Sequence, residues 1–319
     1  MFIYAVRRIL SLIPILLGIS LVSSLLYYII PGDMVRVMLG QHIDPFLYAN
    51  VRRALGLDVP FWQSFVDFVS GLPRGDLGFS FIQQRPVAQI IKEALPVTLT
   101  LTVFSLTVIL AVGIPLGTAA ALKDRSFSGR TANIGAILGI SIPSYLLALF
   151  FQLLFGVTLK WLPISGTGQG GTGFILPALA VGLPLAAFYA RVARAGMLDV
   201  LHQDFVLFAK IRGIPGRRVM INHALRNALV PVVTQIGMEF GFFMAGSVLT
   251  ETIFNLPGMG RLVYAAINTR DFPLLRGILL FFALTVVFVN LMVDLLYAKI
   301  DPRMAQGIAR ETDVTGQNL

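Results

Sequence analysis

The sequence predicts an all-α, polytopic membrane protein with six transmembrane helices, and three observations carry that prediction. Hydrophobic residues make up 56% of the 319 and charged residues only 13%, about half the charge of a soluble domain. The charges fall in short stretches, leaving six runs long and apolar enough to cross a hydrocarbon core of about 30 Å. Lysine and arginine are unevenly divided between the connections. Since lipid offers no partner for free N–H and C=O groups, each run must be a helix.

The first run, Ile9 to Ile30, has 22 uncharged residues and exceeds a signal-peptide core. No small-x-small cleavage site follows before Pro31-Gly32, so residues 1–30 are expected to stay as an N-terminal end plus one span. Residues 31–94 are too many for a simple connection. Within them Phe61, Trp62, Phe65, Phe68, Val69 and Leu72 recur at helical spacing, with Gln63, Ser64, Asp67 and Ser70 opposite. That helix suits the outer membrane interface or, alternatively, an external docking partner. Residues 95–319 supply the other five spans: Leu95–Leu122, Thr131–Leu159, Phe174–Ala190, Ala228–Thr250 and Gly277–Val293. Pro115, Pro143 and Pro231, within or at the ends of spans, free carbonyls and permit kinks.

With the N-terminus inside, the inner segments carry a net +8 and the outer ones +2. Positive charge concentrates on the cytoplasmic side of spanning helices, so both termini are expected there. The overall charge of +9 therefore has a membrane reading and requires no nucleic acid.

Several chemistries are excluded or disfavoured. Without cysteine there is no disulfide, thiolate metal site or Cys nucleophile. None of the five lysines follows glycine and precedes Ser or Thr, so a phosphate-cradling P-loop is missing. Gly166 to Gly171 fits G-x-G-x-x-G, yet no strand precedes it and no acid lies about 20 residues on; a turn is expected. His42, His202 and His223 are isolated, without metal-ligand spacing. An intramembrane enzyme would need a nucleophile paired with a base inside the spans, and no such pair is present.

One acid, Glu239, sits at the middle of the fifth run. Ionised burial there is costly, so an intramembrane carboxylate marks a functional position or a structural pairing. Gly237, Gly241 and Ala245 offer a face for close helix packing, and Glu239 points away from it. Gln235, Glu239, Ser141 and Ser144 are the polar candidates for lining a translocation path. A proton-coupled transporter centred on Glu239 is the rival to an ATP-driven one.

The connection 191–227 holds seven basic and two acidic residues. Leu201, Phe205, Phe208 and Ile211 form a helical stripe that Gly213 and Pro215 must end, because glycine permits a left-handed turn and proline forces Ile214 out of the α region. A helix, a corner and a second helix follow, rimmed by Arg212, Arg217 and Arg218. This hairpin either transmits a push from a separate motor or rests on anionic lipid.

The stretch from Asp204 through Phe205, Phe208, Ala209 and Arg212 to Gly213, followed by His223-Ala-Leu-Arg-Asn-Ala-Leu229 and Pro231, resembles the coupling motif of ABC importer permeases of the dipeptide/oligopeptide/nickel family. Ile30-Pro31-Gly32-Asp33, Gly75-Asp76-Leu77-Gly78, Arg85-Pro86-Val87, Glu251 to Gly260 and Asp301-Pro302-Arg303 resemble that family in the same order. Against the broader EAA importer motif Ala209, Gly213 and Leu225 match, whereas Leu207, Phe208, His223 and Arg226 depart from it in the manner of the peptide branch. The resemblance implies an inner-membrane pore subunit with no cofactor of its own. It also implies a second homologous permease, two ATPase subunits carrying ATP and Mg, and an extracytoplasmic substrate-binding protein. At Glu239 it implies an uncharged polar residue as the commoner choice.

Overall fold

The computed structural model describes residues 14–25, 34–39, 44–54, 58–124 and 126–300. Helix α9, Ile175–Leu201, stands at the centre. Against it pack α5 (Val87–Val108), α6 (Ile114–Leu122), α7 (Phe127–Ser141), α8 (Ser144–Phe151) and α13 (Val230–Gly246). Among the described residues three helices are long and apolar enough to cross a membrane: Val87–Leu122, Gly170–Leu201 and Phe272–Val293.

α5 and α6 form one continuous helix through a wide turn at Ile109–Gly113. Pro115 explains the widening. It has no N–H for the carbonyl of Ala111, and its ring crowds that carbonyl, so the local hydrogen bonds reach one residue further. The same region makes the tightest helix contact. A Cβ on Gly117 would lie 2.2 Å from the Ala190 carbonyl oxygen, and one on Gly113 would lie 2.8 Å from that of Ala186. Two glycines four apart thus let α6 and its wide turn meet the backbone of α9 directly.

Two expected single spans are broken. The run Thr131–Leu159 bends by 87° between Ile134–Ser141 and Ser144–Thr158. Its cause is Pro143, which holds the preceding Ile142 extended at φ −85°, ψ 118°. In the fifth run α13 stops at Gly246, and α14 (Val248–Ile253) restarts after Ser247. Boundaries shift elsewhere too. α16, Phe272–Ile300, begins five residues before the uncharged run, where Asp271 caps it by accepting the Leu274 N–H, and Arg276 within its first turns lies over the Phe68 ring, 3.8 Å from its centroid. Of the first run, Pro14–Leu25 forms helix α1; the remainder falls outside the described residues.

The described parts of residues 31–94 form helices and a hairpin. α2 (Met34–Leu39), α3 (Pro45–Ala54) and α4 (Phe61–Gly71) lead into a short antiparallel hairpin, β1 (Phe79–Ser80) with β2 (Arg85–Pro86). The expected aromatic stripe of α4 divides: Phe68 is buried beneath Arg276, while Trp62 remains exposed. The hairpin is fastened to the start of α16. Ser80 donates its hydroxyl to Asp271 Oδ2 and accepts the Gln83 N–H at 3.0 Å, while Asp271 Oδ1 accepts the Leu274 N–H at 3.3 Å.

Candidate coupling surface and translocation path

The connection 191–227 begins as helix, since α9 continues to Leu201. The chain then reverses at His202–Gln203 into α10, Asp204–Ile211. Val206 and Ala209 on its inner side are buried with Met197 and Val200 of α9, Ala121 of α6, and Val219, Ala224 and Ala228. Burial of the larger of these, Val206, Met197, Val200 and Val219, contributes about 1.5–3 kcal/mol each, so the hairpin has a packed base. The predicted stripe divides at this point. Leu201 joins the base, whereas Phe208 and Ile211 are 65% and 71% exposed, with Phe205 and Leu207 also outward.

The corner forms as its residues dictate. Gly213 has φ +75°, and the Ile214 N–H donates back to the Ala209 carbonyl at 3.3 Å, closing the end of α10. Pro215 then opens α11, Gly216–Arg218, which runs on through a wide-turn segment Val219–Leu225 into α12, Arg226–Ala228. Asp204 lies in the first turn of α10, where a carboxylate complements the helix dipole. Arg212 and Arg218 are exposed around the stripe; the Arg217 side chain lies outside the described residues. The surface therefore presents aromatic and aliphatic groups rimmed by guanidinium groups. His202 Nδ1 sits 2.7 Å from the Leu198 carbonyl and approaches no metal-ligand cluster among the described residues.

The four polar path candidates occupy two places. Ser141 and Ser144 flank the 87° bend, and the Ser141 hydroxyl donates to Ile137 at 3.0 Å. Gln235 and Glu239 lie one turn apart on α13, both half-buried. Among the described residues no hydrogen bond joins one pair to the other. Sequence reasoning missed Tyr189 of α9. This fully buried phenol has no hydrogen-bond partner among the described residues and lies within electrostatic reach of Glu239. A tyrosine in an apolar run reads as packing, and nothing local marks it. Gly237, Gly241 and Ala245 fall on α13, but their surroundings lie outside the described residues.

Glu251 forms a second buried polar centre toward the other end of α9. Its Oε1 accepts hydroxyls from Thr98 and Ser247, each at 2.7 Å, and its Oε2 accepts the Arg261 N–H at 3.1 Å. Thr98 in turn accepts the Met259 N–H at 2.8 Å. These bonds fold the segment after α14 back onto α5 and deliver it to α15, Met259–Thr269. A Cβ on Gly258 would lie 2.4 Å from Glu251 Oε2, so a side chain there would have to displace the carboxylate from its bonds. The glycine-rich run is the turn expected of it: Gly166, Gly168, Gly170 and Gly171 all have positive φ, and the Gly166 N–H donates to Phe254 at 2.8 Å.

The family model described as "Binding-protein-dependent transport system inner membrane component" matches residues 113–306, and the model for the N-terminal part of such components matches residues 1–102. The chain belongs to this family of permeases.

The permease is similar to the glutathione transport system permease protein GsiC of Escherichia coli (strain K12), at 38% identity over 299 residues, covering 94% of this chain and 97% of the relative. The GsiC proteins of Shigella flexneri serotype 5b and Salmonella choleraesuis match over the same span at 38% and 37%. A crystal structure of an amino acid ABC transporter with histidines shares the fold at TM-score 0.51 and 16% identity, covering 66% of this chain and 94% of that one. The permease is thus a multi-pass inner-membrane subunit that forms the pore of an ABC importer, of the peptide/nickel type expected from its motifs. Such a family works with ATPase and substrate-binding partners in general, and the comparisons support this reading rather than proton coupling through Glu239.

Proposed function

We propose that this permease imports peptide-like small solutes in a heterodimer with a second permease, driven by two ATPase subunits and supplied by an extracytoplasmic binding protein. Six spans place both termini on the cytoplasmic side, and the chain carries no ATPase site of its own. The α10 hairpin receives the motor's movement. The observation that carries this reading is the exposed face of Phe205, Phe208 and Ile211 standing on a buried base of Val206 and Ala209. Water disfavours an apolar face of this kind, and a motor subunit docked there would cover it. The base joins α10 to α6 and α9, so displacement of the hairpin moves the bundle rather than a loop. The solute class follows from the relatives, whose names specify glutathione, a tripeptide-sized substrate.

The test is Gly213→Val in the assembled transporter. A Cβ meets nothing within 4 Å there, so membrane insertion persists, but φ +75° strains a β-branched residue by about 1–3 kcal/mol. Substrate-stimulated ATPase activity and uptake of labelled glutathione or dipeptide should fall together by about tenfold, since each 1.4 kcal/mol is a factor of ten. Normal uptake by that variant would remove the corner from the mechanism.

A further inference from the structure

A cavity of about 360 Å³ opens between three walls: the α5–α6 helix around Leu116, the face of α7 bearing Gly135 and Gly139, and α9 from Leu183 to Arg194. Its lining is apolar except at one end, where Arg191 and Arg194 stand. Leu183 and Arg194 are separated by about 16 Å along the helix at 1.5 Å per residue. One leaflet of a bilayer core is about 15 Å deep. The slot therefore has the length of a single leaflet and a cationic end where headgroups lie.

The charges at that end are incompletely matched. Arg194 is bonded to the Asp124 carboxylate, but its buried Nε has no partner among the described residues. Arg191 is exposed and makes no hydrogen bond or ion pair among the described residues. Arg194 has a carboxylate partner and Arg191 has none among the described residues, so one guanidinium charge at that end is left unmatched. At Gly135 an added Cβ would meet nothing within 4 Å, so the slot is open at that turn, whereas one turn on a Cβ at Gly139 would lie 3.0 Å from Ala187 of α9 and the walls close together.

We propose that this slot holds one anionic phospholipid, with an acyl chain along α7 and α9 and the phosphate between Arg191 and Arg194. Guanidinium groups bind phosphate through paired N–H donors and can reach headgroup depth on their apolar stems. An anionic lipid leaves the surplus cation matched, whereas a zwitterionic one brings its own ammonium to the same phosphate. The inference rests on the proposed orientation, which puts Arg191 in the cytoplasmic leaflet.

The test uses the assembled transporter in mild detergent, titrated with phosphatidylglycerol or phosphatidylcholine carrying a photoreactive acyl chain. Phosphatidylglycerol should label α7 and α9 at least fivefold more than phosphatidylcholine. Arg191→Gln should lower the phosphatidylglycerol labelling several-fold and leave that of phosphatidylcholine unchanged. Gly135→Leu, which fills the slot, should abolish both and leave basal ATPase activity intact. Equal labelling by the two lipids, undiminished labelling of Gly135→Leu, or a crosslink from Gly135→Cys to the second permease would overturn the proposal. Labelling of Arg191→Cys by an impermeant thiol reagent from outside the cell would instead overturn the orientation, separately from whether lipid occupies the slot.

Discussion

Glu251 shows what one buried carboxylate does for the fold. In Glu251→Ala the Thr98 and Ser247 hydroxyls and the Arg261 N–H lose their acceptor. Each orphaned donor costs about 1–3 kcal/mol, so thermal unfolding of the detergent-solubilised transporter should fall by several degrees. A shift of less than one degree would show that water replaces the bonds. Asp271 makes a pH-dependent counterpart. Burial holds its carboxyl above the usual range, against the opposing hydrogen bonds from Ser80 and Leu274. The unfolded carboxyl therefore releases its proton first, near the ordinary value of about 3.9, and the folded one at higher pH. Between those points the folded state binds more protons, so stability falls as pH rises. Melting temperatures of wild type and Asp271→Asn, compared across that window, should lose this dependence in the variant. Gly213 was legible because glycine and a nearby proline act on their own backbone. Glu251 was quoted as part of a motif without a role, because its partner Thr98 lies 153 positions away.

The helices were legible as apolar runs, and their ends less so. Absence of charge marks where lipid begins, not where hydrogen bonding stops, so α9 continues through Arg191 and Arg194 to Leu201. Pro143 marked a kink in advance, but the 87° turn depends on how α7 and α8 each pack against α9. The apolar stripe of α10 shows the limit of periodicity. Spacing identifies an apolar face without saying whether its cover comes from the same chain, and here Val206 and Ala209 supply the internal packing while the aromatic side faces out. A double variant, Phe208→Ser with Ile211→Ser, should hence leave the melting temperature within about 1 °C, since little buried area is lost on folding. It should lower co-purification of the ATPase by at least tenfold. Full retention of the ATPase would place docking elsewhere.

At the scale of the whole chain, function divides between a pore and a separate source of work. Purified alone into vesicles with labelled glutathione outside and a proton gradient imposed, the permease should accumulate no substrate; concentrative uptake would restore the proton-coupled reading. The geometry of α9 links the two ends of that division. Its 27 residues make a rod of about 40 Å. Leu176 and Ala178 sit at one end with Phe254 and Leu256, Met197 and Val200 at the other with the hairpin base. The backbone contacts with Gly113 and Gly117 fall between these anchor points. A lever pivoted there and tilted by about 5° swings each tip roughly 1–2 Å, in opposite directions. Movement at one end of the rod then reaches the other as a single displacement, with no relay of side chains between them.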